Sequence, residues 1–100
     1  MKHRNSKADA RNLRQLMETI VSIESVEDCR RFFADLCTPA ELQSLADRWR
    51  VVQLIDKGVP YREIYQQTGV STATVTRVAR SLAQGHDGYR RILDGKAERR

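Results

Sequence analysis

The chain has little of what builds turns, cross-links or membrane spans. It contains two prolines, five glycines and two cysteines in 100 residues. So few turn-forming residues argue against a sandwich of short strands and favour helices. No apolar run approaches the roughly 20 residues that cross a bilayer. The charged N-terminus is not followed by the apolar core of a signal peptide, so we expect a cytoplasmic protein.

The few cysteines and histidines do not indicate a catalytic or metal site. Cys29 and Cys37 lie on one predicted helix, about 12 Å of helical rise apart, which is too far for an internal disulfide. Neither has partners at zinc-ligand spacing, so we expect two buried free thiols. His3 and His86 have no carboxylate or thiol partner that spacing would place, and no phosphate loop or nucleophile motif is present. We expect no enzyme activity, no metal and no cofactor.

Positive charge is in excess. Lysine and arginine number 18 against 13 aspartates and glutamates, a formal net charge of +5. Such a balance favours polyanionic partners, meaning nucleic acid or an anionic membrane surface.

Apolar spacing predicts an all-α fold of about six helices. We expect a disordered tail over residues 1–7, one helical domain over 8–95 and a frayed tail over 96–100. The first helix is predicted over residues 8–23. Ser25 and Thr38 are predicted to cap the next two helices, the second of these ending at Gly58. Its apolar arc over residues 42–55 is broader than the remaining helices can cover, which predicts a homodimer.

Residues 61–83 predict a helix-turn-helix. Gly69 supplies the positive φ that a tight turn often needs, and Ser71 caps the second helix. A last short helix is predicted after Gly85, with Tyr89, Ile92 and Leu93 facing inward. In the helix-turn-helix of residues 61–83, the predicted inward positions are Ile64, Val70, Val75 and Val78.

The second helix of the motif begins with short side chains, which allow its backbone to lie deep in a major groove. Tyr65 stands where many such motifs have a small residue, which predicts a looser or reoriented helix pair. The alternative function is a helical dimeric protein-interaction module with only weak nonspecific DNA binding. The predicted DNA-binding residues are Tyr61, Arg62, Ser71, Thr72, Ala73, Thr74, Thr76, Arg77 and Arg80.

Several landmarks between Leu36 and Leu82 occur together in one known family. They include Leu36-Cys37-Thr38-Pro39, Arg48-Trp49-Arg50-Val51-Val52 and Ala73-Thr74-Val75-Thr76-Arg77. With them, the chain resembles the Trp repressor superfamily, and within it the Trp-repressor-like YerC/YecD subgroup. The resemblance implies six helices per chain and a dimer intertwined through its N-terminal helices. With the helix-turn-helix, we expect a bacterial, sequence-specific transcriptional regulator that binds a palindromic operator as a homodimer, with repression favoured and activation left open.

The same resemblance implies an effector site. Arg48 has an equally good interpretation as a surface residue, and Arg77 could contact a DNA phosphate instead. Val78 stands where tryptophan repressors have glycine, and its branched side chain is expected to fill ligand space. We therefore expect that any effector is amino-acid-like but not tryptophan. The residues that match the family's ligand pocket are Asp35, Cys37, Thr38, Arg48, Arg77 and Ser81.

Overall fold

The structure is a computed structural model that describes residues 4–98. Within these residues the chain forms helices and no strand, so the predicted all-α class with six helices is confirmed. None of the described helices is both long and apolar enough to span a membrane. The helices are α1 (Ser6–Val21), α2 (Val26–Leu36), α3 (Pro39–Asp56), α4 (Tyr61–Thr68), α5 (Thr72–Gln84) and α6 (Gly88–Glu98).

The chain divides into two compact units, Met1–Pro39 and Ala40–Arg100, where the sequence predicts one domain over residues 8–95. The first unit contains α1 and α2. The second contains nearly all of α3 and the whole of α4, α5 and α6. The predicted helix-turn-helix therefore lies entirely in the second unit.

The start of α1 corrects the predicted N-terminal tail. The Asn5 side chain accepts hydrogen bonds from the backbone N–H groups of Lys7 and Ala8, at 3.0 and 3.1 Å. Asparagine is a strong N-cap, so the helix begins at Ser6, before the predicted residue 8. An ion pair between Arg4 and Asp9 accompanies it. Residues 1–3 of the predicted tail lie outside the described residues.

The first unit buries none of its described residues. The Ser25 hydroxyl accepts from the Asp28 N–H at 3.0 Å, which confirms the predicted cap of α2. The side chains of Val21 and Val26 are 84% and 89% exposed. Cys29 and Cys37 are free but only half-buried, so the prediction of buried thiols is wrong for a single chain.

The second unit contains the core. Ile64 and Val75 are fully covered, which places the contact between α4 and α5 at its centre. On α3 only the C-terminal half is buried, whereas Leu45 is 44% exposed. The apolar stripe predicted along the whole of α3 therefore meets the core over half of its length. The buried residues are Val51, Val52, Leu54, Ile64, Val75 and Val78.

Helix α6 packs against the core through one face. Tyr89 and Leu93 are half-buried, as predicted, but Ile92 is 56% exposed, so its predicted inward position is wrong. Tyr89 and Leu93 are four residues apart and share a helix face, whereas Ile92 lies beside that face. Arg90 pairs with Asp56 at the end of α3, with an N–O distance of 3.0 Å. Of the predicted frayed tail, residues 96–98 belong to α6, and 99–100 lie outside the described residues.

Candidate nucleic-acid interface

The turn between α4 and α5 is built from local hydrogen bonds. Gly69 has φ 73°, and its N–H donates to the Tyr65 carbonyl at 2.8 Å. The Thr68 hydroxyl donates to the Ile64 carbonyl at 2.7 Å and accepts from the Val70 N–H at 3.1 Å. One side chain thus satisfies backbone groups on both sides of the turn. The positive φ predicted at Gly69 is confirmed.

Helix α5 begins with a side-chain cap. The Ser71 hydroxyl accepts from the Thr74 N–H at 3.2 Å and donates to the Thr74 hydroxyl at 3.0 Å. The predicted cap is therefore confirmed. No acidic residue lies in the first turn of α5, so nothing there opposes the attraction of a helix N-terminus for a phosphate.

Most of the predicted DNA-binding residues are exposed. Thr74 is the exception, because it is half-buried, lines a pocket and bonds to Ser71. Its predicted place on the outer surface of α5 is corrected accordingly. The Thr76 hydroxyl donates to the Thr72 carbonyl at 2.9 Å, which leaves its methyl group and oxygen lone pairs for a partner. The exposed residues are Tyr61, Arg62, Ser71, Thr72, Ala73, Thr76, Arg77 and Arg80.

The arginines of this surface are available for an anion. Within residues 4–98, Arg62, Arg77 and Arg80 form no ion pair, whereas Arg30, Arg31 and Arg90 each pair with a carboxylate. A guanidinium without a carboxylate can bind a phosphate with no intramolecular pair to break. We define the outer side of α4 and α5 that carries these three arginines as the basic surface.

Tyr65 does not loosen the motif. Its side chain is 51% exposed, while Ile64 and Val75 are fully covered. The expectation of a looser helix pair is wrong, because the residues at the contact are fully covered, whereas the expected reorientation of the pair stays a prediction.

A polar pocket brings together three of the six predicted effector residues. Arg48, Arg77 and Ser81 line a pocket of about 260 Å³, and the Arg48 guanidinium donates to the Ser44 hydroxyl at 3.2 Å. Val78 is 2% exposed and forms part of the wall. Sequence reasoning missed Ser44 and Tyr89 in this lining. Ser44 lies one helical turn before Arg48 and could have been found by that spacing, but Tyr89 comes from α6, and no local pattern indicates it.

The other three predicted effector residues belong to the first unit. Asp35 is exposed near the end of α2. Cys37 caps that end, and its N–H donates to the Phe33 carbonyl at 2.9 Å. Thr38 follows directly and precedes α3. The six residues are therefore divided between the two units, three in each.

An apolar groove lies beside the polar pocket. The rings of Trp49 and Tyr89 are tilted by 34°, with centroids 6.2 Å apart. Together with Ile92 they line a groove of about 570 Å³, whose polar margin includes Ser81 and His86. Among the described residues, no group of histidine, cysteine and carboxylate side chains could hold a metal ion.

A family comparison agrees with this geometry. The model of the Trp repressor protein family matches residues 11–97. The chain belongs to the Trp repressor family. This is a family of transcription regulators and not of enzymes, whose members bind DNA and act as dimers.

Individual relatives support the assignment. The uncharacterized protein YerC of Bacillus subtilis is 46% identical over 88 residues, covering 88% of this chain and 85% of YerC. A Trp operon repressor homolog of Actinobacillus succinogenes is 43% identical over 54 residues, covering 53% of this chain and 54% of that protein. The crystal structure of a TrpR-like protein from Eubacterium eligens superposes with a TM-score of 0.86 at 36% identity, covering 93% of this chain and 96% of that one. The predicted Trp-repressor-like fold is confirmed.

Proposed function

We propose that this Trp repressor family member is a sequence-specific transcriptional repressor that binds a palindromic operator as a homodimer. The observation that carries the proposal is the basic surface on a capped helix-turn-helix. The start of α5 is solvent-exposed at Ser71, Thr72 and Ala73, so it is free to enter a major groove. Short side chains there keep the backbone close to the base edges, which is where sequence is read.

A homodimer is supported by what a single chain leaves uncovered. The first unit buries no described residue, and the apolar groove of Trp49, Tyr89 and Ile92 is open in the second. Large apolar patches are uncommon on monomeric proteins and mark interfaces. A two-fold dimer presents two α5 helices, which would read two half-sites about 34 Å apart.

Substitution of Arg77 tests the proposal in a gel-shift series, with genomic fragments that the wild-type protein binds. Arg77→Ala should weaken binding, and the slope of log affinity against log salt should fall by about 0.9 for each phosphate that the variant no longer neutralises. Arg91→Ala is the matched control, because Arg91 is exposed on α6 and forms no ion pair among the described residues. Equal affinities and equal salt slopes for the two variants would contradict the proposal. Weak binding that does not distinguish one fragment from another would favour the protein-interaction module instead.

The polar pocket supports an amino-acid-like effector. Two guanidinium groups, from Arg48 and Arg77, are suited to a carboxylate. Buried Val78 occupies part of the wall, which disfavours a ligand as wide as tryptophan. A thermal-shift screen of the free amino acids should show a rise in Tm for a smaller amino acid that Arg48→Ala abolishes. Flat melting curves across the screen would contradict the effector part of the proposal.

A further inference from the structure

Tyr65 is a large side chain of α4 to which the proposed function assigns no role. It is 51% exposed. Its phenolic hydroxyl has no hydrogen-bond partner within residues 4–98. Tyrosine combines an apolar ring with a hydroxyl that can donate a hydrogen bond to a ligand.

The two exposed sides of α4 differ in charge. Each residue turns an α-helix by about 100°, so Arg62 and Tyr65 lie on one side of buried Ile64, and Glu63 and Gln67 lie on the other. The Gln67 amide donates to the Glu63 carboxylate at 3.3 Å, which keeps that side acidic and internally bonded. A polyanion is attracted to the side with Arg62 and repelled by the side with Glu63. Tyr65 therefore lies on the side of α4 that attracts a polyanion.

We propose that Tyr65 is a DNA-positioning residue that donates its phenolic hydroxyl to a backbone phosphate beside the groove read by α5. The inference rests on the proposed function. A phenol is a neutral donor, so this contact orients the protein on the duplex without releasing a counterion. It fixes the position of α4 and specifies no base.

Two substitutions at Tyr65 test the contact, with fluorescence anisotropy on a duplex that the wild-type protein selects. Tyr65→Phe removes only the hydroxyl and should raise Kd about tenfold per half-site, the loss expected for one hydrogen bond to a charged group, with the salt slope unchanged. Its Tm should equal that of the wild type, because the hydroxyl has no partner within the described residues.

Tyr65→Lys places a charge where the phenol stood and should steepen the salt slope by about 0.9 per half-site. Gln67→Lys is the matched control, since it adds the same charge on the opposite side of α4 and should leave the slope close to that of the wild type.

The inference is overturned if Tyr65→Phe binds as tightly as the wild type, or if the two lysine variants have the same slope. Either result with normal wild-type binding rejects the role of Tyr65 alone. Failure of the wild-type protein to select any DNA would reject the proposed function itself, and this inference with it.

Discussion

At the residue scale, the motif depends on one backbone conformation. Gly69 has φ 73°, in the left-handed region, and a Cβ there would meet nothing within 4 Å. The cost of a side chain at this position is therefore conformational and not steric crowding. Left-handed backbone costs an L-residue about 1–2 kcal/mol, which glycine avoids.

Gly69→Ala should therefore lower the free energy of unfolding by about 1 kcal/mol. Gly95→Ala is the matched control: Gly95 lies within α6 and also has open space around an added Cβ. Because alanine is the better helix former, that change should be neutral or stabilising by up to about 1 kcal/mol. Urea denaturation of both variants measures the difference. Equal effects of the same sign would show that the left-handed turn is not the constraint.

Sequence reasoning succeeded at this scale where the chemistry is local. Gly69, Ser25 and Ser71 form turns and caps with residues three or four positions away, so their roles could be predicted from neighbouring residues. The prediction for Thr74 was wrong because its side chain can either face the outer surface or bond to the Ser71 hydroxyl, and it does the latter. Spacing alone does not choose between them.

At the element scale, α2 is stabilised along its exposed side by charge. Glu27 accepts from Arg30 at 2.6 Å and from Arg31 at 3.1 Å, at spacings of three and four residues. The hydrogen bond from Arg30 has the larger effect and that from Arg31 the smaller, and together they hold the pKa of the Glu27 carboxyl below its usual value. The Glu27 carboxylate also lies in the first turn, where a negative charge favours the helix.

The pH dependence of α2 follows from the direction of that shift. A carboxyl whose pKa is lowered on folding contributes stability above its unfolded pKa, and the contribution is lost as pH falls through the folded pKa. An NMR titration should therefore find the Glu27 pKa below that of an unstructured peptide. Arg30→Ala should raise it. A Glu27 pKa equal to the peptide value, unmoved by Arg30→Ala, would show that these ion pairs do not persist in solution.

The six helices could be predicted from sequence because amphipathic spacing, caps and glycine breaks recur along the chain. Helix α1 begins earlier than predicted because Asn5 caps it. The polar pocket was only half predictable. Arg48, Arg77 and Ser81 follow from the family resemblance, whereas Tyr89 reaches the pocket from a helix whose packing no local pattern specifies.

At the scale of the whole molecule, the distribution of buried residues indicates association. All six buried apolar residues of the described part of the chain lie in the second unit, and the apolar side chains of α1 and α2 are at most half-buried. Helices without a fully buried residue are marginal in water, since most helical stability comes from tertiary packing. Because members of the Trp repressor family act as dimers, we expect a second copy of this chain to cover these helices.

Folding and dimer formation should therefore be coupled. Sedimentation equilibrium should give twice the mass of one chain, and Tm should rise with protein concentration because association stabilises the folded state by mass action. Leu13→Glu, on the exposed apolar side of α1, should lower both the dimer fraction and the Tm. A monomer with a concentration-independent Tm would contradict the coupling.

Selection of bound fragments from a random DNA pool, repeated at several salt concentrations, tests the central claim most directly. The account predicts enrichment of an inverted repeat whose half-sites lie about 34 Å apart, one turn of the double helix. Enrichment of no sequence at any salt concentration would contradict it.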